Sequence, residues 1–212
     1  MQVDLAGPAG RLEALIEVPD APRFAMVVCH PHPQYGGTMH THAVYRIARA
    51  ARSRGGITLR FNFRGVGRSA GSHDEGRGEQ DDVRTALAHL AADFPELPRY
   101  VAGFSFGAWM ALEVACVEEA VRAVLCAGLA LHLRGVAVEV ASTCAKPVAV
   151  VQAERDQFGT PDEVLEALID SRGPRHVAMV KHATHLFTED LDGLERESEK
   201  AIDWLLAGGR PR

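Results

Sequence analysis

One serine stands where chemistry is expected. Gly103-Phe104-Ser105-Phe106-Gly107 places a hydroxyl between two glycines, each two positions away. The run from Arg99 is short and passes through the apolar Tyr100-Val101-Ala102, and Ala108 to Ala115 reads as a helix. Ser105 therefore falls on a strand-to-helix turn. A turn that sharp strains the serine backbone and crowds positions 103 and 107 against neighbouring chain, where glycine avoids the collision. The hydroxyl then projects at a helix N-terminus, whose unpaired N–H groups and dipole favour a developing anion. The competing reading of such a pentapeptide is a flexible loop, so the decision rests on the remainder of the chain.

A serine becomes a nucleophile when a histidine takes its proton and a carboxylate holds the histidine. On a mostly parallel sheet these partners follow the serine in sequence, on loops beyond the carboxyl ends of later strands. Asp156, four residues after Gln152, is the candidate acid, with Glu154 as its alternative closer to the strand end. His185, five residues after Val180 and just before the last helix, is the candidate base. Its alternative, His182, nearly continues the strand, whereas His185 has a turn's length in which to swing back over the sheet.

The elements that must position these residues are legible as an alternation. Residues 3–5 and 11–18 flank Gly7-Pro8-Ala9-Gly10 and read as an opening antiparallel hairpin. Strands are then expected at 24–29, 57–63, 99–103, 121–127, 147–152 and 176–180, and helices at 42–54, 79–93, 108–115, 161–171 and 191–207. Thr160 and Pro161 open one of these helices as N-cap and first-turn proline. This order predicts an α/β fold: a mostly parallel sheet with an N-terminal antiparallel hairpin and helices on both faces. Only about twenty residues separate Ala127 from Pro147, which suits a loop and a short helix but leaves no room for a large lid.

The chain of 212 residues, 47% hydrophobic, suits one domain over residues 1–212 with one sizeable core. A net charge of −5 with scattered basic residues argues against nucleic acid as a partner. The start of the chain lacks a basic-then-apolar leader and no run approaches a bilayer span, which points to a cytoplasmic protein with no membrane partner. Cys29, Cys116, Cys126 and Cys144 lie in or beside apolar segments without metal-type spacing. They read as small buried hydrophobes and not as bridges, in keeping with a reducing compartment. His30-x-His32 and His40-x-His42 lack a well-spaced carboxylate or thiolate, so no metal is assigned. Gly65-x-Gly67 lacks the third glycine and following helix of a dinucleotide turn, and no cofactor is assigned. Arg64 reads as a loop-fixing residue, with a substrate clamp as the alternative.

Together, His30-Pro31-His32-Pro33-Gln34-Tyr35-Gly36-Gly37-Thr38-Met39, Phe61-Asn62-Phe63-Arg64-Gly65-Val66-Gly67-Arg68-Ser69, the 103–107 turn, Asp156 and His185 resemble the α/β-hydrolases. The closer resemblance is to the small lidless hydrolases related to dienelactone hydrolases and serine esterases. Two positions depart from that pattern: Ala153 stands where glycine is usual and Thr184 where an acidic residue is frequent. The resemblance implies a serine hydrolase acting on a small-molecule acyl ester or thioester through an acyl-enzyme, with Ser105, His185 and Asp156 as the triad. The oxyanion would be held by two N–H groups, one from Phe106. The other lies on the loop after residue 29, where Pro31 and Pro33 have no N–H to give. His32 is the candidate by its match to the third position of His-Gly-x loops, with Gln34 and Tyr35 as alternatives. Tyr35, Phe104, Phe106, Phe158 and Leu186 are candidates for an apolar wall. The rival functions are a peptidase, amidase or acyltransferase using the same residues, and a binding protein on the same fold. The sequence assigns no oligomeric state.

Overall fold

The computed structural model describes residues 1–132, 140 and 142–210. Eight strands form one sheet: β1 (Gln2–Gly7), β2 (Gly10–Glu17), β3 (Phe24–Cys29), β4 (Gly56–Phe61), β5 (Arg99–Phe104), β6 (Val121–Ala127), β7 (Val148–Ala153) and β8 (Arg175–Val180). Their order is β1-β2-β4-β3-β5-β6-β7-β8, with β1 antiparallel to β2, β2 antiparallel to β4 and the remaining pairs parallel. The helices are α1 (His42–Ser53), α2 (Arg77–Asp93), α3 (Phe106–Val117), α4 (Pro161–Ala167) and α5 (Leu191–Leu206).

The central strands are predominantly apolar because both faces are covered, with Thr58, Arg60 and Gln152 as buried polar exceptions. In β3, Phe24, Met26 and Val28 enter the core shared with α1 and α5, while Ala25, Val27 and Cys29 enter the core shared with α2 and α3. The apolar stripe of α1, including Ala43, Val44, Ile47 and Ala51, faces the sheet. Its other side meets α5 through Arg46 and Arg49 on Glu195 at 2.9 and 2.8 Å. After β3 the chain pairs β4 on one flank and then crosses to β5 on the other. Such a reversal leaves a crevice at the carboxyl ends of β3 and β5, the usual ligand position of open α/β sheets.

Several element ends differ from expectation. The strand expected at 57–63 stops at Phe61: Asn62 N–H makes a last backbone bond to Glu13 O of β2 (2.8 Å), and Phe63 N–H then turns to His30 Nε2 (3.0 Å). The helix expected from 79 begins at Arg77, after a left-handed Gly76. The one expected over 161–171 stops at Ala167 and continues only as turns. The short helix expected between 128 and 146 falls partly outside the described residues.

The cysteine reading needs correction. Cys29 and Cys126 are buried free thiols, but Cys116 and Cys144 form a disulfide, their Cα atoms 5.2 Å apart. They are 28 residues apart in sequence. The last turn of α3 and the segment leading into β7 bring them together, a closure that spacing alone does not reveal. With one pair bridged, the cysteines no longer indicate a reducing compartment. Among the described residues no helix is long and apolar enough to cross a membrane.

Candidate active site

Ser105 is the pivot between β5 and α3. Its φ of 55° lies in the left-handed region, a conformation costing a non-glycine residue on the order of 1–3 kcal/mol. The surroundings hold it there: its N–H donates to Ala127 O (2.9 Å) and its carbonyl accepts from Ala108 and Trp109 (2.9 and 3.1 Å). The two flanking glycines answer a steric demand. A Cβ at 103 would lie 2.1 Å from Gly107 O, and one at 107 would lie 2.4 Å from the carbonyl oxygens of Cys29 and His30. The start of α3 is therefore seated directly against the end of β3.

Loops after β7 and β8 deliver the next two side chains. His185 Nε2 lies 2.9 Å from Ser105 Oγ, and His185 Nδ1 lies 2.8 Å from Asp156 Oδ2. A carboxylate only accepts, so the proton of neutral His185 sits on Nδ1 and the Nε2 lone pair faces the serine hydroxyl. Both His185 and Asp156 are buried. Asp156 also accepts from Phe158 N–H (3.0 Å) and Gln152 Nε2 (3.0 Å). The two alternatives find each other instead: Glu154 accepts from the N–H of His182 (2.6 Å), its carboxylate 3.4 Å from His182 Nδ1.

The loop after β3 packs beside this constellation. Gly37 crosses it so closely that a Cβ there would lie 2.0 Å from Pro31 O. Gln34 N–H donates to His32 Nδ1 (3.2 Å) and Tyr35 N–H to His32 O (3.1 Å), so both alternative oxyanion donors are committed within their own turn. The rings of His32 and Phe106 lie 5.0 Å apart, bringing the two preferred donor residues side by side. All five residues expected in an apolar wall line a cavity of about 580 Å³ that opens on Ser105. Phe104 and Phe158 flank His185, whereas Phe106 and Trp109 pack together farther along α3.

The supporting roles of two residues were missed in the sequence, Gln152 and His30, the latter weighed there only as a metal ligand and as part of a family motif. Gln152, a lone polar side chain in the buried strand β7, joins Asp156 to Gly159 O (2.6 Å) and accepts from Leu129 N–H (2.9 Å). Its isolation among apolar neighbours was the available signal. His30 is buried at the end of β3; its Nδ1 lies 2.6 Å from Pro31 O and its Nε2 accepts from Phe63 N–H. Burial pushes its pKa down to about 4. It thus ties the β3 loop to the end of β4 as a neutral ring. Arg64 is fixed by Asp82 at 2.7 Å, as a loop-holding residue should be. Burial raises the Asp82 pKa even against that pairing. Among the described residues no group of three or more His, Cys, Asp or Glu side chains could hold a metal ion.

Comparison with known proteins bears on this arrangement. The chain is 30% identical to a putative alpha/beta hydrolase from Agrobacterium tumefaciens, whose structure superimposes with a TM-score of 0.89 over 98% of this chain and 97% of that one. An alpha-beta serine hydrolase homologue from Coxiella burnetii is 29% identical, with a TM-score of 0.88 over 95% and 97% of the two chains. A serine hydrolase without a lid from Xanthomonas campestris is 31% identical, with a TM-score of 0.86 over 96% and 93%. An uncharacterized protein of Rickettsia prowazekii is 41% identical over 117 residues, which is 53% of this chain and about half (48%) of that protein's length. Residues 24–203 match the family described as the alpha/beta hydrolase domain, and the chain belongs to that family.

Proposed function

We propose that the protein is a serine hydrolase that cleaves a carboxylic ester or thioester through an acyl-enzyme. One observation carries this reading: Ser105 Oγ, His185 and Asp156 are hydrogen-bonded in series at 2.9 and 2.8 Å, at the floor of an apolar cavity. Ser105 Oγ attacks the acyl carbon as its proton passes to His185 Nε2, and Asp156 stabilises the imidazolium. The backbone N–H groups of Phe106 and His32 hold the oxyanion. Collapse of the tetrahedral intermediate expels the alcohol or thiol, which takes the proton from His185. Water, deprotonated by the same nitrogen, then attacks the acyl-enzyme, releases the acid and regenerates Ser105.

The Ser105→Ala protein should lose about 10⁶-fold in turnover of short p-nitrophenyl esters. It should also fail to react with a fluorophosphonate that labels the parent at Ser105, while keeping the parent's circular dichroism. Undiminished turnover in this variant rules the mechanism out. Acyl-CoA and aminoacyl amide substrates assayed beside the esters separate the thioester and amide readings.

A further inference from the structure

The cavity contains a second histidine–carboxylate pair that the hydrolytic steps leave unused. His73 lines it, with Nδ1 2.8 Å from Oε1 of the fully buried Glu79. Glu79 is itself anchored by the N–H groups of Asp74 and Gly76, each at 2.9 Å. A carboxylate held this way keeps the proton of the neutral ring on Nδ1 and leaves the Nε2 lone pair as the acceptor. Among the described residues, Nε2 has no hydrogen-bond partner.

A purely structural account would make Glu79 the cap of α2 and His73 its cover, since Glu79 forms the capping interaction with Gly76. Two observations go further. The His73 ring packs against His32 (4.8 Å) and Phe106 (5.7 Å), which makes it part of the cavity wall. Beside it Glu75, held at φ 53°, is exposed on the same wall and makes no hydrogen bond among the described residues. The polar side chains on this wall are the His73 acceptor, the Glu75 carboxylate, the Tyr35 hydroxyl and His32, whose Nδ1 accepts from Gln34 N–H. The adjoining surface is aromatic, built from Tyr35, Phe106 and Trp109.

We propose that His73, positioned by Glu79 and flanked by Glu75, is a specificity determinant that accepts a hydrogen bond from a hydroxyl or ammonium group carried on the substrate limb lying along Phe106 and Trp109. A substrate carboxylate in the same place meets Glu75 and is rejected. This inference rests on the ester-hydrolase reading above and narrows its substrate class to esters whose flat, apolar limb ends in a hydrogen-bond donor.

The test uses two matched series. For the alcohol limb these are 2-arylethyl acetates, and for the acyl limb methyl 3-arylpropanoates, each with hydroxyl, aminomethyl, methoxy or carboxylate at the para position. In one of the two series the parent should favour the donor-bearing ester over its methoxy analogue by about two- to tenfold in kcat/KM, the range of one neutral hydrogen bond. The carboxylate should be the poorest substrate. His73→Phe, which keeps a flat ring and removes the acceptor, should bring the donor-to-methoxy ratio close to one, mainly through KM. His73→Gln, which restores an acceptor, should recover part of it. A preference for aminomethyl that Glu75→Gln removes identifies an ammonium; a preference for hydroxyl that survives Glu75→Gln identifies a hydroxyl. Ratios unchanged by His73→Phe in both series overturn the proposal.

Equilibrium binding separates this proposal from the reaction on which it rests. 2-(4-Hydroxyphenyl)ethanol and its 4-methoxy analogue, or the corresponding arylpropanoates, are titrated into Ser105→Ala protein with and without His73→Phe. A donor preference that disappears with His73→Phe supports the proposal even where ester turnover fails. Triad-dependent turnover without any such preference sinks it.

Discussion

Two histidine–carboxylate pairs face one cavity with nearly the same inner geometry and different surroundings. In both, Nδ1 lies 2.8 Å from a carboxylate oxygen, with side-chain exposures of 6% and 0% for His185–Asp156 and 11% and 0% for His73–Glu79. The difference is at the far nitrogen. Nε2 of His185 meets Ser105 Oγ, whereas Nε2 of His73 meets no hydrogen-bond partner among the described residues. A third pair, His182–Glu154, is 3.4 Å apart with 84% and 36% exposure, in water that screens it. A carboxylate beside a histidine is thus insufficient for chemistry. Burial makes the pairing directional and strong, and the group at the distal nitrogen determines what the pairing is used for.

The largest expected contrast is between the pair at Ser105 and the exposed His182–Glu154 pair. Asp156→Asn and His185→Ala should each lower kcat on an ester by about 10⁴-fold or more. Glu154→Gln and His182→Ala should stay within about twofold of the parent. Comparable losses from the Glu154 and His182 variants would erase the distinction. The next contrast concerns how the carboxylates are held, Glu79 by backbone N–H groups and Asp156 in part by Gln152. Gln152→Leu should cost about 2–4 kcal/mol in urea denaturation, because it strands Leu129 N–H and Gly159 O in the core.

His30 provides a buried histidine without a carboxylate. Its pKa of about 4 when folded lies below its ordinary 6.5, so the unfolded chain binds the extra proton between those values. Its contribution to stability is therefore complete above pH 6.5 and declines as pH falls toward 4, by up to about 3 kcal/mol. Stability measured across that window in the parent and in His30→Asn should show a flatter slope in the variant. An identical slope would mean that His30 charges freely in the fold. The smallest effect is the two- to tenfold selectivity assigned to His73, which separates the second buried pair from the first.

The alternation of strands and helices was readable because the central strands are mostly apolar runs, unbroken in β3 and interrupted only by Gln152 in β7, as burial on both faces favours. The turn at Ser105 was readable for a steric reason, since glycines at 103 and 107 meet backbone at distances no side chain tolerates. Element ends were less readable where a polar group outside the ladder competes for the backbone, as His30 does for Phe63 N–H. Gln152 and the His73–Glu79 pair are visible as letters, but their meaning depends on which partners the fold brings close.

By itself, then, the sequence determined the order of elements, the strained turn and a short set of candidate partners, because these follow from local periodicity and the covalent geometry of glycine and proline. Only the tertiary structure decided that His185 meets Asp156 and Ser105, that His182 is left with Glu154, and that Cys116 and Cys144 are joined. Those choices connect residues 29, 80, 28 and 28 positions apart, and they depend on loop paths that no local pattern encodes.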